Sequence, residues 1–253
     1  MSGIEHEGSP MNDFGPWLSE LITAVREGYQ PDSPTHDLSH LDRVASLAGR
    51  ICREEGADER VVVCAAWLHD LHRDKSSFRN EFFVAPDYFD DRAREFLVRA
   101  RVPGSLHDHV LGAIHYTDKY SFSDRFPRSA TVEARCLRDA DNLDAIGAIG
   151  VARAFSFGGS HDIPIWTRDV PFQQRAFDQS VRPSSTIHHF QEKLMRMRNE
   201  FETDTARRLA HARSDYLDDF AHRLMAEWTE DLASMPARSA RSTPEKPETR
   251  SIE

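Results

Sequence analysis

The feature that most narrows what this chain can become is an unbroken apolar run, Val61 to Leu68, that ends directly on His69 and Asp70. At helical spacing VVVCAAWL is apolar nearly all round, a pattern that belongs at the centre of a bundle, and Asp58 stands where its N-cap should be. A charge at the end of such a helix needs a partner. An ionised aspartate leaving a bundle interior costs several kcal/mol unless it is paired or coordinates a metal.

Almost every other periodic segment also has helical spacing, and no alternation of apolar and polar residues is long enough for a strand. The fold class expected is all-α. A first helix opens at Pro16 and turns Trp17, Leu18, Leu21, Ile22 and Val25 to one side; a second starts near Ser39, with Asp42 as capping-box partner, and runs to Gly56. Further helices are expected at about 87–100 and 105–116, and another at about 131–155, where Gly147 and Gly150 would admit a neighbouring helix. Residues 156–183 lack periodicity and are expected to form a long loop or flap. Two helices follow, one lined by Phe190, Leu194, Met197 and Phe201, the other by Leu209, Tyr216, Phe220, Leu224 and Trp228. Residues 1–15 and 233–253 are polar and rich in Gly, Pro or Ser and are expected to be disordered, leaving residues 16–232 as a single domain.

The 253 residues carry 42 acidic and 32 basic side chains, for a formal charge of −10. That argues against nucleic-acid or anionic-membrane partners, so an anionic substrate must meet a local positive cluster or a metal. The longest apolar run is too short to span a bilayer, and the acidic start lacks a secretory signal, which together predict a cytoplasmic protein. Cys52, Cys64 and Cys136 are odd in number and widely spaced, as buried thiols would be. No GxGxxG, GxxxxGK[ST] or GxSxG string occurs.

Thirteen histidines remain to be placed, and several fall on faces that should be apolar. His40 is in register with Val44, Leu47 and Ile51, and Asp141 follows Leu137 and precedes Ala145 and Ala148 at helical spacing. With His69 and Asp70 they would project two imidazoles and two carboxylates inward from three helices. That is a mixed N/O site for Mn, Fe, Co, Ni, Zn or Mg. Satisfied core histidines and capping aspartates are the competing reading. The stretch LHRDKSSFR after the dyad supplies His72, Arg73, Lys75 and Arg79, with Lys75 the first choice for a phosphate contact and Asp74 placed to orient it or an attacking water. His36, Asp37, Arg153 and His115 fall where they would line a pocket. Capping by Asp37, an Asp144–Arg153 pair and a second metal-binding row through His107 and His115 compete with that placement. His189 and Lys193, one turn apart, would reach the pocket or a helix edge.

The ordered set His40, His69-Asp70 and Asp141 resembles the H…HD…D pattern of the HD-domain superfamily of metal-dependent phosphohydrolases. HLDRV, AAWLHDLHRDK and DADNLDAIGAIGVARAF around those residues, with SSTIHHFQEKL and LMAEW later, resemble a bacterial subgroup of stand-alone HD hydrolases, and the likeness spans roughly residues 16–229. It implies a helical bundle holding one divalent metal through His40, His69, Asp70 and Asp141, with Asp139 in a supporting or capping role. A metal-activated water, with Asp70 among the catalytic residues, would attack a phosphate ester or anhydride, the substrate being a small phosphorylated molecule and specifically a nucleotide. Two other readings stay open, a di-iron oxygenase on the same fold and a catalytically silent nucleotide-binding module. So does the choice between monomer and homodimer.

Overall fold

The computed structural model describes residues 14–31, 33, 35–73, 86–117, 130–172 and 181–229, and among these the regular structure is helical. The apolar run forms α3 (Glu59–Leu68), capped by Asp58, whose carboxylate accepts from the Arg60 N–H. Around it pack α1 (Pro16–Gly28), α2 (Leu38–Glu55), α5 (Gly104–Ile114) and α6 (Val132–Asp144). Every α3 residue from Val61 to Leu68 except Val63 is buried, as an all-round apolar helix requires, and each large side chain so placed is worth roughly 1.5–3 kcal/mol. The helix α4 (Pro86–Arg99) lies on α1 and α5, while α7 (Gly147–Ser160) and α9 (Asp204–Trp228) pack together beside α6. Between them α8 (Thr186–His189) continues into a π-helical turn, Phe190–Leu194, and a 3₁₀ turn, Arg196–Asn199. No helix of the described residues is long and apolar enough to cross a membrane. The three cysteines are free and buried, and burial pushes the Cys64 thiol up to about 12.

Several boundaries differ from the sequence expectation for identifiable reasons. Helix α2 begins at Leu38, near Ser39 as expected, but its cap is Asp37, whose carboxylate accepts from the His40 N–H at 2.9 Å. Asp42 instead pairs with Arg26. Phe14, expected in a disordered end, is buried against Trp17. The loop expected from residue 156 starts only after Ser160, since α7 runs through Gly158 and Gly159; residues 173–180 lie outside the described set. On α9 the buried face is built from Ala206, Ala210, Ser214, Leu217 and Ala221, leaving Tyr216 and Trp228 each 48% exposed. Small residues fill much of that face beside Leu217, while Leu209 and Phe220 pack against the core from its edge. The expected tails 1–13 and 233–253 also lie outside the described residues.

The largest difference is at the expected helix 131–155, which is two helices meeting at Ala145 and Ile146. Gly147 adopts φ +72°, a left-handed conformation that favours glycine, and a side chain there would also meet Arg213 of α9. A Cβ on Gly150 would collide with the Ala145 carbonyl oxygen. The glycines thus build the corner that sets α7 against the end of α6. Replacing Gly147 with Ala should lower stability by about 1–2 kcal/mol, the cost of a left-handed L-residue. Calorimetry should show Tm falling by roughly 2–4 °C per kcal/mol, and an unchanged Tm would mean the corner carries no strain.

Candidate metal centre

His40 stands in the first turn of α2, His69 and Asp70 follow the last residue of α3, and Asp141 sits in the last turn of α6. Packing α2 and α3 against α6 brings the four together. His40 Nε2 lies 3.3 Å from His69 Nε2, 3.3 Å from Asp70 Oδ2 and 3.5 Å from Asp141 Oδ1. His69 Nε2 lies 3.8 Å from each of the same two carboxylate oxygens. Both histidines and Asp70 are buried; Asp141, 18% exposed, is the open side of the cluster. His40, His69 and Asp141 each offer a ligand atom within 4.8 Å of those of the other two, as a metal site requires.

The hydrogen bonds on the far side of each ring decide what this cluster is. His40 Nδ1 is 2.8 Å from Asp144 Oδ2 and His69 Nδ1 is 2.8 Å from the Ala66 carbonyl oxygen, both partners that can only accept. The ring hydrogens therefore belong on Nδ1, and in the neutral rings each Nε2 presents a lone pair inward. Asp70 Oδ2 is buried with no hydrogen-bond partner. Two imidazole nitrogens and two carboxylate oxygens turned toward one another are a donor set that fits a divalent cation. Burial disfavours charge on His40, yet the hydrogen bond to Asp144 and the neighbouring Asp70 carboxylate outweigh it and raise the imidazole to about 9. Burial likewise opposes ionisation of Asp70, but His69, His36, His40 and Arg73 hold it well below the usual carboxylate range.

Around this core the structure places the other expected residues unevenly. Arg73 reaches Asp70 Oδ1 through Nε at 3.3 Å. His36 lies edge-on to His40 at 5.8 Å between ring centroids, with Nδ1 on Thr35 Oγ1; burial and then Arg73 push it well below its ordinary value. Arg153 donates to Asp144 and to the Thr35 carbonyl, so the pairing with Asp144 is formed. Asp37 is the cap of α2. His115, expected to touch substrate, is instead half-exposed and paired with Asp90 at 2.7 Å, and His107 is held by the Val102 carbonyl, so neither stands as an extra ligand. Asp139 caps the approach to α9, accepting from Glu202 N, Thr203 N and Thr203 Oγ1. Asp74 and Lys75 lie outside the described residues. Sequence reading missed Arg43, which donates to both oxygens of Asp144 at 2.7 and 2.9 Å; its position three after His40 in HLDRV was the available signal.

The HD domain family model matches residues 37–146, a span containing His40, His69, Asp70 and Asp141. The Bacillus subtilis protein YpgQ is 32% identical over 211 residues, covering 82% of this chain and 88% of the relative. This chain belongs to the HD-domain superfamily. Among solved structures, a Lactobacillus plantarum protein superposes with a TM-score of 0.71 at 30% identity, covering 85% of this chain and 98% of its own. YpgQ in complex with ADP gives 0.61 at 29% identity, covering 87% and 100%. A Bacillus thuringiensis protein described as an HD-superfamily hydrolase gives 0.58 at 25% identity, covering 84% and 96%.

Two outcomes are expected. His69→Ala or Asp70→Ala should abolish retention of Mn²⁺, measured by elemental analysis, while far-UV circular dichroism stays helical; retained metal in either variant would overturn the assignment. Because a cation must displace the His40 proton, Mn²⁺ affinity should rise as pH increases from 7 towards 9, with protons released on binding. Calorimetry in buffers of different ionisation enthalpy reads that release, and a flat pH profile would exclude His40 as a ligand.

Proposed function

We propose that this HD-domain protein is a divalent-metal-dependent phosphohydrolase whose substrate is a nucleotide, cleaved by water at a phosphate ester or anhydride. The observation that carries the reading is the buried His/Asp cluster bordered by guanidiniums: Asp70, Asp141 and Asp144 stand against Arg43, Arg73 and Arg153. These charges cancel, so a bound divalent cation leaves the pocket with two net positive charges, matched to a phosphate chain. The relative YpgQ crystallised with ADP supports a nucleotide ligand.

His40, His69, Asp70 and Asp141 would hold the cation. Bound there, it lowers the pKa of water and neutralises charge on a phosphoryl oxygen. The protein's own groups supply position and charge, which is most of what phosphoryl transfer needs. Asp70 Oδ1 anchors Arg73 at the rim, where its guanidinium faces incoming phosphate. His36, kept neutral by burial and by Arg73, offers its ring as a hydrogen-bonding wall beside His40. Arg153 borders the same pocket from α7. Lys75 is assigned a phosphate contact, and Asp74 the orientation of Lys75 or of the attacking water.

A nucleotide panel with Mn²⁺, Co²⁺, Ni²⁺ and Mg²⁺, following both phosphate and pyrophosphate, should show turnover that vanishes with chelator. No turnover with any pairing would overturn the reading. Lys75→Ala should lower kcat/KM about tenfold or more, ~1.4 kcal/mol of transition-state stabilisation, with metal content unchanged. Loss of metal from that variant would show that Lys75 acts on the centre and not on substrate.

A further inference from the structure

Of the two imidazoles facing the centre, His69 is aimed by a backbone carbonyl and His40 by a side chain, Asp144. Asp144 is 1% exposed and accepts four hydrogen bonds: His40 Nδ1 at 2.8 Å, Arg43 Nε at 2.7 Å, Arg43 Nη2 at 2.9 Å and Arg153 Nη1 at 3.0 Å. A carboxylate offers about four lone-pair directions, so this one is saturated with donors. Two guanidiniums from different helices fix both its position and its ionised state, and Arg153 extends the brace by donating to the Thr35 carbonyl just before α2.

We propose that Asp144 is the positioning residue of the metal centre: it pins the His40 proton to Nδ1, so that Nε2 is held as a lone pair aimed at the cation. The inference rests on the metal-centre reading above and goes beyond it, because it assigns a role to a carboxylate that does not touch the cation. Two effects follow from general chemistry. A charged acceptor behind a ligating imidazole fixes its orientation and makes it a stronger donor to the metal. An amide in the same place can turn its N–H₂ toward Nδ1, which favours the opposite tautomer and puts a hydrogen on Nε2 where the cation should be. Arg43 and Arg153 act one step further out, each supporting a carboxylate that the other still holds.

The test is calorimetric titration of the full chain with Mn²⁺, comparing wild type, Asp144→Asn and Arg43→Gln, with melting curves to establish that each is folded. Asp144→Asn should bind Mn²⁺ about 10–100-fold more weakly, while Arg43→Gln, with Asp144 still braced by Arg153, should change affinity by less than about threefold. Equal weakening in both variants would mean the network is general packing and would overturn the proposal, as would Mn²⁺ affinity unchanged in Asp144→Asn. If that variant does not fold, nitrogen-15 spectra of Zn²⁺-loaded wild type decide. A slowly exchanging His40 Nδ1–H is expected, and its absence, or a proton on Nε2, overturns the assignment. Wild type that binds neither Mn²⁺ nor Zn²⁺ would bring down the metal centre itself, an outcome distinct from failure of Asp144 alone.

Discussion

Polar atoms converging inside an apolar core are what the rest of this molecule is arranged around. His40 Nε2, His69 Nε2 and Asp70 Oδ2 sit inside a helical core whose neighbours Ala65, Ala66 and Leu68 are fully buried hydrocarbon. An unpaired carboxylate oxygen in such surroundings costs more than any single packing contact returns. The same low-dielectric setting strengthens whatever electrostatic partner does arrive. The helical frame makes the arrangement tolerable by placing the acceptors at helix ends, where α2 begins and α3 stops, and by leaving Asp141 as the one partly open member.

Helix α6 shows how phase alone divides similar side chains among different tasks. Asp139 and Asp141 are two residues apart, roughly 200° around the helix, so they face opposite directions; Asp141 and Asp144 differ by about 60° and share a side. Asp139 meets the backbone N–H groups of Glu202 and Thr203 at the start of α9, whereas Asp144 meets two arginines and a histidine. Their chemistry diverges accordingly. Burial pushes Asp139 up to about 6, because donors that are mainly uncharged only partly offset it. Asp144, also buried, is held well below the ordinary carboxylate range by hydrogen bonds from His40 and Arg43 and by the charge of Arg153.

The metal-facing set was legible in the sequence because each member interrupts an apolar periodicity: His40 among Val44 and Ile51, His69 and Asp70 at the end of VVVCAAWL. Periodicity fails where conformation and not composition decides. The spacing Leu137, Asp141, Ala145, Ala148 runs straight across the α6–α7 corner, since nothing in it registers a left-handed Gly147. It holds only in part on α9, where Leu209 and Phe220 pack against the core but Tyr216 and Trp228 are half-exposed and small residues fill much of the buried face. Arg43 was hidden for a third reason. A basic residue one turn after a helix start looks like a solvated side chain, and its meaning comes from Asp144, 101 positions away in the chain.

The placement of the arginines also bears on how an acidic protein would take the anionic ligand proposed above. A formal charge of −10 repels a phosphate chain at long range, but exposed charges are screened beyond about 8 Å at physiological salt. Within the pocket the partly buried guanidiniums are screened less, yet Arg73 is engaged by Asp70 and Arg43 and Arg153 share Asp144, so the cluster is close to neutral by itself. The positive excess arrives only with the cation. On the proposed reading nucleotide and metal would favour one another: whichever bound first would raise the affinity for the second by the same factor, as linkage requires. That coupling would follow from setting Arg43, Arg73 and Arg153 against carboxylates.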